Sequence, residues 1–199
     1  GLFTDITASS GTGDSGFGMG CAAADYDGDD DVDLYVTNYG PNVLYRNESD
    51  VRFTDVGGRA GVDHPDWSVG AAWADYDLDG DLDLFVGNYL DFSLEESVAR
   101  NLVSLREGFR LYPGPRDYRA QPDVLYRNDG DGIFADVSSE AGINQSLGKA
   151  MGCGFADYDD DGDPDLFVAN DRTPNHLYRN DGGQFSEIGL WAGVAYNES

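Results

Sequence analysis

"ADYDDDGDPDLFVAND", residues 156–171, carries seven aspartates in sixteen positions, six of them directly ahead of an apolar run. At an effective dielectric of about 20, two carboxylates about 5 Å apart repel by roughly 3 kcal/mol. Four that converge form six pairs, an upper bound of about 20 kcal/mol, whereas a whole domain is stable by about 5–15 kcal/mol. Such a segment either stays disordered or gathers around a cation.

Composition argues against disorder. The net charge is −26, with 38 acidic residues against 12 basic, yet 40% of the 199 residues are hydrophobic and 13% aromatic. A solvated acidic tail carries far less apolar surface. The acidity disfavours nucleic acid and anionic membrane surfaces as partners, because both need basic patches. No apolar run approaches the roughly 18 residues of a membrane span. Gly1 opens on folded-looking sequence, so a signal peptide, if the protein has one, lies outside these residues.

The acidic segment recurs as "ADYDGDDDVDLYVTN" from Ala24 and "ADYDLDGDLDLFVGN" from Ala74. A small-residue stretch precedes each copy ("GMGCAAAD", "SVGAAWAD", "MGCGFAD"), and "LYRN" follows at Leu44, Leu125 and Leu177. Then come "FTDV", "FADV" and "FSEI" at Phe53, Phe134 and Phe185, and an "AG" turn at Ala60, Ala141 and Ala192. Each unit thus offers four short strands, A to D: the small-residue stretch, "DLYV", "LYRN" and "FTDV". Four strands in a repeat of about 50 residues predict an all-β propeller with four-stranded antiparallel blades. A solenoid is the rival, with shorter repeats. The blades are expected at about 18–57, 68–138 (with an insertion at 91–121) and 150–189, flanked by partial repeats 1–17 and 190–199. "LFTDI" around Phe3 reads as a further D-type strand, and "LWAGVAYNES" as the approach to another blade. Three blades do not close a ring of four to eight. The expectation is a partial propeller, belonging to a longer one or completed by other copies.

Aligned, the loops read "DYDGDDDVD", "DYDLDGDLD" and "DYDDDGDPD". The candidate metal ligands are therefore Asp25, Asp27, Asp29, Asp31 and Asp33, Asp75, Asp77, Asp79, Asp81 and Asp83, and Asp157, Asp159, Asp161, Asp163 and Asp165. Hard oxygens at this density suit Ca²⁺, which takes six to eight at about 2.3–2.6 Å, whereas Mg²⁺ keeps more water. The absence of His and Cys from the loops argues against zinc and copper. The expectation is three Ca²⁺ sites. Side chains at positions 1, 3, 5 and 9 ligate, and position 7 (Asp31, Asp81, Asp163) offers its carbonyl. The helix-loop-helix calcium hand needs Glu at position 12; here that position is Val36, Val86 or Val168, inside a predicted strand. Gly80 and Gly162 permit the sharp turn at position 6, where the first loop has Asp30, so that loop is expected to bind most weakly.

The D-x-D-x-D-G-x-x-D loop between strands resembles the FG-GAP/VCBS repeats of integrin α-chain propellers. The fuller run, "GMGCAAADYDGDDDVDLYVTNYGPNVLYRN" followed by "FTDV" and "AG", is more similar to the cartilage acidic protein and ASPIC/UnbV-type family. The resemblance covers nearly the whole chain, with Asp30 as its main departure. It implies calcium-dependent extracellular propellers, commonly adhesive or of unknown activity.

Repeat 2 carries about 30 extra residues between Asn88 and Pro122. "SLEESVARNLVSL" begins with a capping-box pair, Ser93 and Glu96, and spaces Leu94, Val98, Leu102 and Leu105 as on a helix. Arg100, Arg106, Arg110, Arg116 and Arg119 lie in the same insertion. It reads as a helix packed over a blade edge or as a binding surface. Because it is a B–C turn, and the loops are A–B turns, it is expected on the opposite face, with Trp67, Tyr112 and Tyr118 exposed. A protein or glycan ligand is expected there. Cys21 and Cys153 read as separate buried thiols, His64 and His176 as surface or packing residues, and Arg46, Arg127 and Arg179 as neutralising nearby carboxylates.

Two function classes remain. The first is a non-enzymatic extracellular scaffold for adhesion or assembly, secreted, on the cell surface or periplasmic, where calcium is millimolar. The alternative is part of a calcium-dependent propeller enzyme, a polysaccharide lyase or glycosidase. A lyase needs a base beside a cation, and Lys149, the sole lysine, forms no cluster with the two histidines.

Overall fold

A computed structural model of the chain describes residues 1–99, 104–106, 109–111 and 113–196. A four-residue helical turn, α1 (Thr7–Ser10), precedes blade 1, whose strands β1 (Phe17–Ala24), β2 (Asp33–Tyr39), β3 (Val43–Asn47) and β4 (Phe53–Asp55) pair in that order. The turn α2 (Gly57–Ala60) leads to blade 2, which opens with β5 (Ser68–Ala74) and β6 (Asp83–Asn88). The insertion follows: α3 (Leu94–Ala99), the hairpin β7 (Ser104–Arg106) and β8 (Phe109–Leu111), and a 3₁₀ turn at Pro115–Asp117. Blade 2 then closes with β9 (Val124–Asn128) and β10 (Phe134–Asp136). After α4 (Ser138–Ala141), blade 3 runs β11 (Ala150–Ala156), β12 (Asp165–Asn170), β13 (His176–Asn180) and β14 (Phe185–Glu187), with α5 (Gly189–Ala192) behind it. All pairings within the blades are antiparallel. The chain is a partial β-propeller of three blades with one small helical insertion.

The small residues of the innermost strands serve close approach. A Cβ on Gly20 would stand 2.5 Å from the Val69 carbonyl oxygen of the next blade, so a side chain there would push the blades apart. Each innermost strand also slips register by one residue, between Gly18 and Gly20, Ser68 and Gly70, and Ala150 and Gly152. Such bulges sharpen the twist.

The core lies between blades. Leu84, Val86, Tyr126 and Phe134 of blade 2 meet Tyr26, Tyr35 and Leu44 of blade 1. From the other side of the same strands, Phe85 and Leu125 meet Leu166, Val168, Tyr178 and Phe185 of blade 3. This is why "DLFV" is continuously apolar: a strand covered on both faces has no solvent side. The outer surface of blade 3 has no such cover among the described residues. Tyr26 and Tyr76, the second residues of loops 1 and 2, are each 4% exposed, and their counterpart Tyr158 is 45% exposed. Phe167 is 37% exposed where Tyr35 and Phe85 are fully buried.

Several expectations change. Phe3 lies outside any strand and is fully exposed, because no described strand pairs with it. Cys21 is exposed and Cys153 half-buried, and both thiols are free. Cys153 packs within reach of Gly70 of blade 2, whereas no described blade lies behind β1. Of the residues at predicted helical spacing from Leu94, Leu94 and Val98 lie in α3 (Leu94–Ala99) and Leu105 lies in β7, while Leu102 falls outside the described residues. Leu94 and Val98 are exposed rather than packed on the blade.

Candidate metal centres

Each acidic loop joins the first two strands of its blade, and the same internal bonds shape all three. Position 1 accepts two backbone N–H groups, from positions 5 and 6; for Asp75 these come from Asp79 (3.0 Å) and Gly80 (3.0 Å). Asp25 and Asp157 do the same. Position 5 accepts the N–H of position 7, as Asp79 does from Asp81 at 3.0 Å. Position 9 is buried in all three loops. Asp83 accepts the N–H of Tyr76 on one oxygen and that of Asn128 on the other.

These bonds bring carboxylates together. Oxygens of Asp25, Asp27 and Asp29, of Asp75, Asp77 and Asp83, and of Asp157, Asp159 and Asp165 lie within 4.8 Å of one another in each group. Positions 1 and 3 are common to all three; the third member is position 5 in loop 1 and position 9 in loops 2 and 3. Asp33, Asp79 and Asp161 lie outside these groups, as do Asp31, Asp81 and Asp163. The position 7 side chains turn toward the C–D turn instead. Asp31 accepts the Ser49 hydroxyl at 2.6 Å, and Asp163 accepts the Gly182 N–H at 2.7 Å.

Burial and mutual repulsion both act against the charged forms of these carboxylates. Burial first, and neighbouring carboxylates after it, hold Asp27, Asp77 and Asp159 above the ordinary carboxylate range. Burial lifts Asp33 to about 6 and Asp83 to about 7, against the backbone bonds that favour their ionised forms. Asp77 Oδ1 is buried without a hydrogen-bond partner among the described residues. An orphaned carboxylate oxygen among converging carboxylates fits a hard divalent cation.

Backbone strain is shared differently from the expectation for loop 1. Position 6 is left-handed in every loop (Asp30 φ 71°, Gly80 φ 102°, Gly162 φ 97°), and so is position 4 (Gly28 φ 71°, Leu78 φ 59°, Asp160 φ 60°). Loop 1 has its glycine at position 4 instead of 6. Each loop therefore holds one non-glycine residue in this region, and Asp30 does not single out the first.

The asparagine of each "LYRN" is the residue whose role the sequence reading missed; its recurrence in all three copies was the available signal. Asn128 Nδ2 donates to the Tyr26 carbonyl of blade 1 at 3.0 Å, and Asn180 Nδ2 to the Tyr76 carbonyl of blade 2 at 2.7 Å. The neighbouring arginines pair with acids two residues on: Arg46 with Glu48, Arg127 with Asp129 and Arg179 with Asp181.

The FG-GAP-like repeat profile matches residues 25–86, 116–168 and 157–198. The chain belongs to the FG-GAP-like repeat family. Over 57 residues this FG-GAP-like chain is 33% identical to cartilage acidic protein 1 of Xenopus tropicalis and 35% identical to that of Homo sapiens. The aligned part is 29% of the chain and 9% of the length of either relative.

On the opposite end of the strands, the insertion leaves after Asn88 and returns before Val124, bridged by Leu90 and Ala120. Trp67 and Tyr118 are half-buried there rather than exposed. Trp67 packs edge-on against Tyr39, Tyr89 and Phe92, and Phe92 in turn meets Tyr118. Tyr112 falls outside the described residues, and Arg116 and Arg119 are exposed. His176 is buried against Tyr178, and burial lowers its pKa; His64 is exposed beside Asp66 at 3.1 Å. Lys149 Nζ donates to the Pro115 carbonyl at 2.5 Å, tying the insertion to blade 3.

Proposed function

We propose that this chain is a calcium-binding module of an extracellular scaffold, with one Ca²⁺ in each of loops 25–33, 75–83 and 157–165. The observation that carries this reading is Asp77 Oδ1, buried beside Asp75 and Asp83 without a partner among the described residues. The positions 1 and 3 aspartates, with Asp29, Asp83 and Asp165, would hold the ions. A bound cation would cancel carboxylate repulsion and stiffen the connection between the first two strands. Secreted, cell-surface or periplasmic location follows from the calcium such sites need. A non-enzymatic role is favoured because His64, His176 and Lys149 are each engaged away from the loops.

The partner surface in this reading is the insertion face, where a protein or glycan would meet α3, Arg116 and Arg119. The exposed Tyr158 and Phe167 suit a further blade or a second copy laid against blade 3. Calorimetric titration with Ca²⁺ tests the metal reading. Three sites are expected, with one lost in Asp77→Ala. Absence of binding, or full stoichiometry in that variant, would overturn it. Deleting residues 93–119 is expected to abolish partner binding and leave calcium stoichiometry unchanged.

A further inference from the structure

Between loop 1 of blade 1 and the C–D turn of blade 2 lies a cleft of about 240 Å³, lined by Tyr26, Asp27, Arg46, Arg59, Asp131 and Gly132 among others. Two cations meet there in a chain that has only 12. Arg46 is held by Glu48, whose Oε1 accepts from Nε at 3.0 Å and Nη2 at 2.5 Å. Arg59 projects from α2, is exposed, and forms no ion pair among the described residues. Both arginines line the same cleft as Tyr26.

The repeat supplies its own comparison. Arg59 is the third residue of α2, and the third residues of α1, α4 and α5 are Ser9, Glu140 and Trp191. The equivalent position facing blade 3 is therefore acidic. A second cation beside the loop belongs to the first interblade cleft alone and is not a product of the repeat's packing.

We propose that this cleft binds the carboxylate of a small, singly charged acid, received by Arg59 and Arg46, with affinity raised by calcium in loop 1. The inference rests on the calcium reading above. Asp27 and Asp131 share the cleft and compete with an incoming carboxylate for the two arginines, and a cation in loop 1 would neutralise Asp27 and leave Asp131 as the one opposing charge. A guanidinium fork matches a carboxylate in shape and charge. The net charge of −26 repels polyanions at long range, which selects a ligand with one negative charge. Binding linkage is reciprocal, so the acid should also raise calcium affinity in loop 1.

D-glucuronate, with uncharged D-glucose as control, is a suitable probe for calorimetry on the full chain, after calcium binding has been measured on the same preparation. Glucuronate should bind at one site in saturating calcium, at least about fivefold more tightly than in chelator. Glucose should not bind. Arg59→Glu should weaken glucuronate by about tenfold or more, and Arg59→Gln should do so without reversing the charge. Glu140→Arg should create a second site. Calcium binding without glucuronate binding, or an unaltered Arg59→Gln, would overturn the inference and leave the metal reading standing. No calcium binding at all would overturn the metal reading, and the inference with it.

Discussion

Asp83 Oδ1 accepts the backbone N–H of Asn128 at 2.8 Å, and the Asn128 side-chain amide donates to the carbonyl of Leu82, the residue before Asp83, at 3.2 Å. The same amide reaches across to Tyr26 O in blade 1. One residue therefore fixes the end of an acidic loop and the seam between two blades. Asp33 with Asn47 and Asp165 with Asn180 repeat the first bond at 2.7 and 2.8 Å.

Asn128→Ala should strip both carbonyls of their partner and destabilise the fold by about 1–3 kcal/mol. Asn47→Ala should cost less, because among the described residues the Asn47 amide donates to Val32 O alone, within its own blade. Urea unfolding of the two variants makes the comparison. Equal costs would argue that the interblade bond contributes nothing.

Calcium removal should lower the melting temperature sharply. A ligand at about 100 times its Kd stabilises by about 2.7 kcal/mol, so three sites would supply about 8 kcal/mol. Thermal melts in calcium, in chelator and in magnesium provide the measurement, and magnesium should restore little. An unchanged melt in chelator would refute the expectation.

Leu78→Gly should stabilise the protein by about 1 kcal/mol, because Leu78 sits at φ 59° with its side chain exposed. The reverse change at the same loop position, Gly28→Leu, should destabilise by a similar amount. Nothing lies within 4 Å of a Cβ at Gly28, so the effect there is purely one of backbone conformation. A destabilised Leu78→Gly would show that the Leu78 side chain has a packing role.

Asp123 gives a pH signature separate from the loops. It accepts the Asn88 N–H at 2.8 Å, as Asn42 does for Asn38 and Asn175 for Asn170. Burial raises its carboxyl to about 7 against that bond. The folded chain therefore holds this proton more tightly than the unfolded chain. The stability it contributes is full below about pH 4 and is lost as pH rises toward about 7. Asp123→Asn should gain about 1–3 kcal/mol relative to wild type between pH 5 and pH 8. Denaturant titrations across that range would show it, and parallel curves would exclude it.

Much of the architecture was legible because one pattern recurs three times. A continuously apolar "DLFV" flanked by small residues and "LYRN" can bury both faces only between neighbouring blades, so strand order and the position of the insertion followed. The place of the acidic loops, between the first two strands of each blade, was legible for the same reason. The insertion was read less well. Leu94, Val98 and Leu105 fit a helical period, but Leu105 joins a hairpin instead.

Local chemistry in the sequence was enough to specify the blades and the acidic loops, since period, turn residues and charge density act over a few neighbouring positions. Three-dimensional packing alone decided the rest. It gave position 4 of each loop a left-handed backbone, which neither Leu78 nor Asp160 announces, because the surrounding bonds over-determine the turn. It turned the position 7 carboxylates toward Ser49 and Gly182, and it set Arg59 across a seam from Gly132, some 70 residues further along the chain. Those relationships depend on how one blade rests against the next, and distance along the chain carries no record of that.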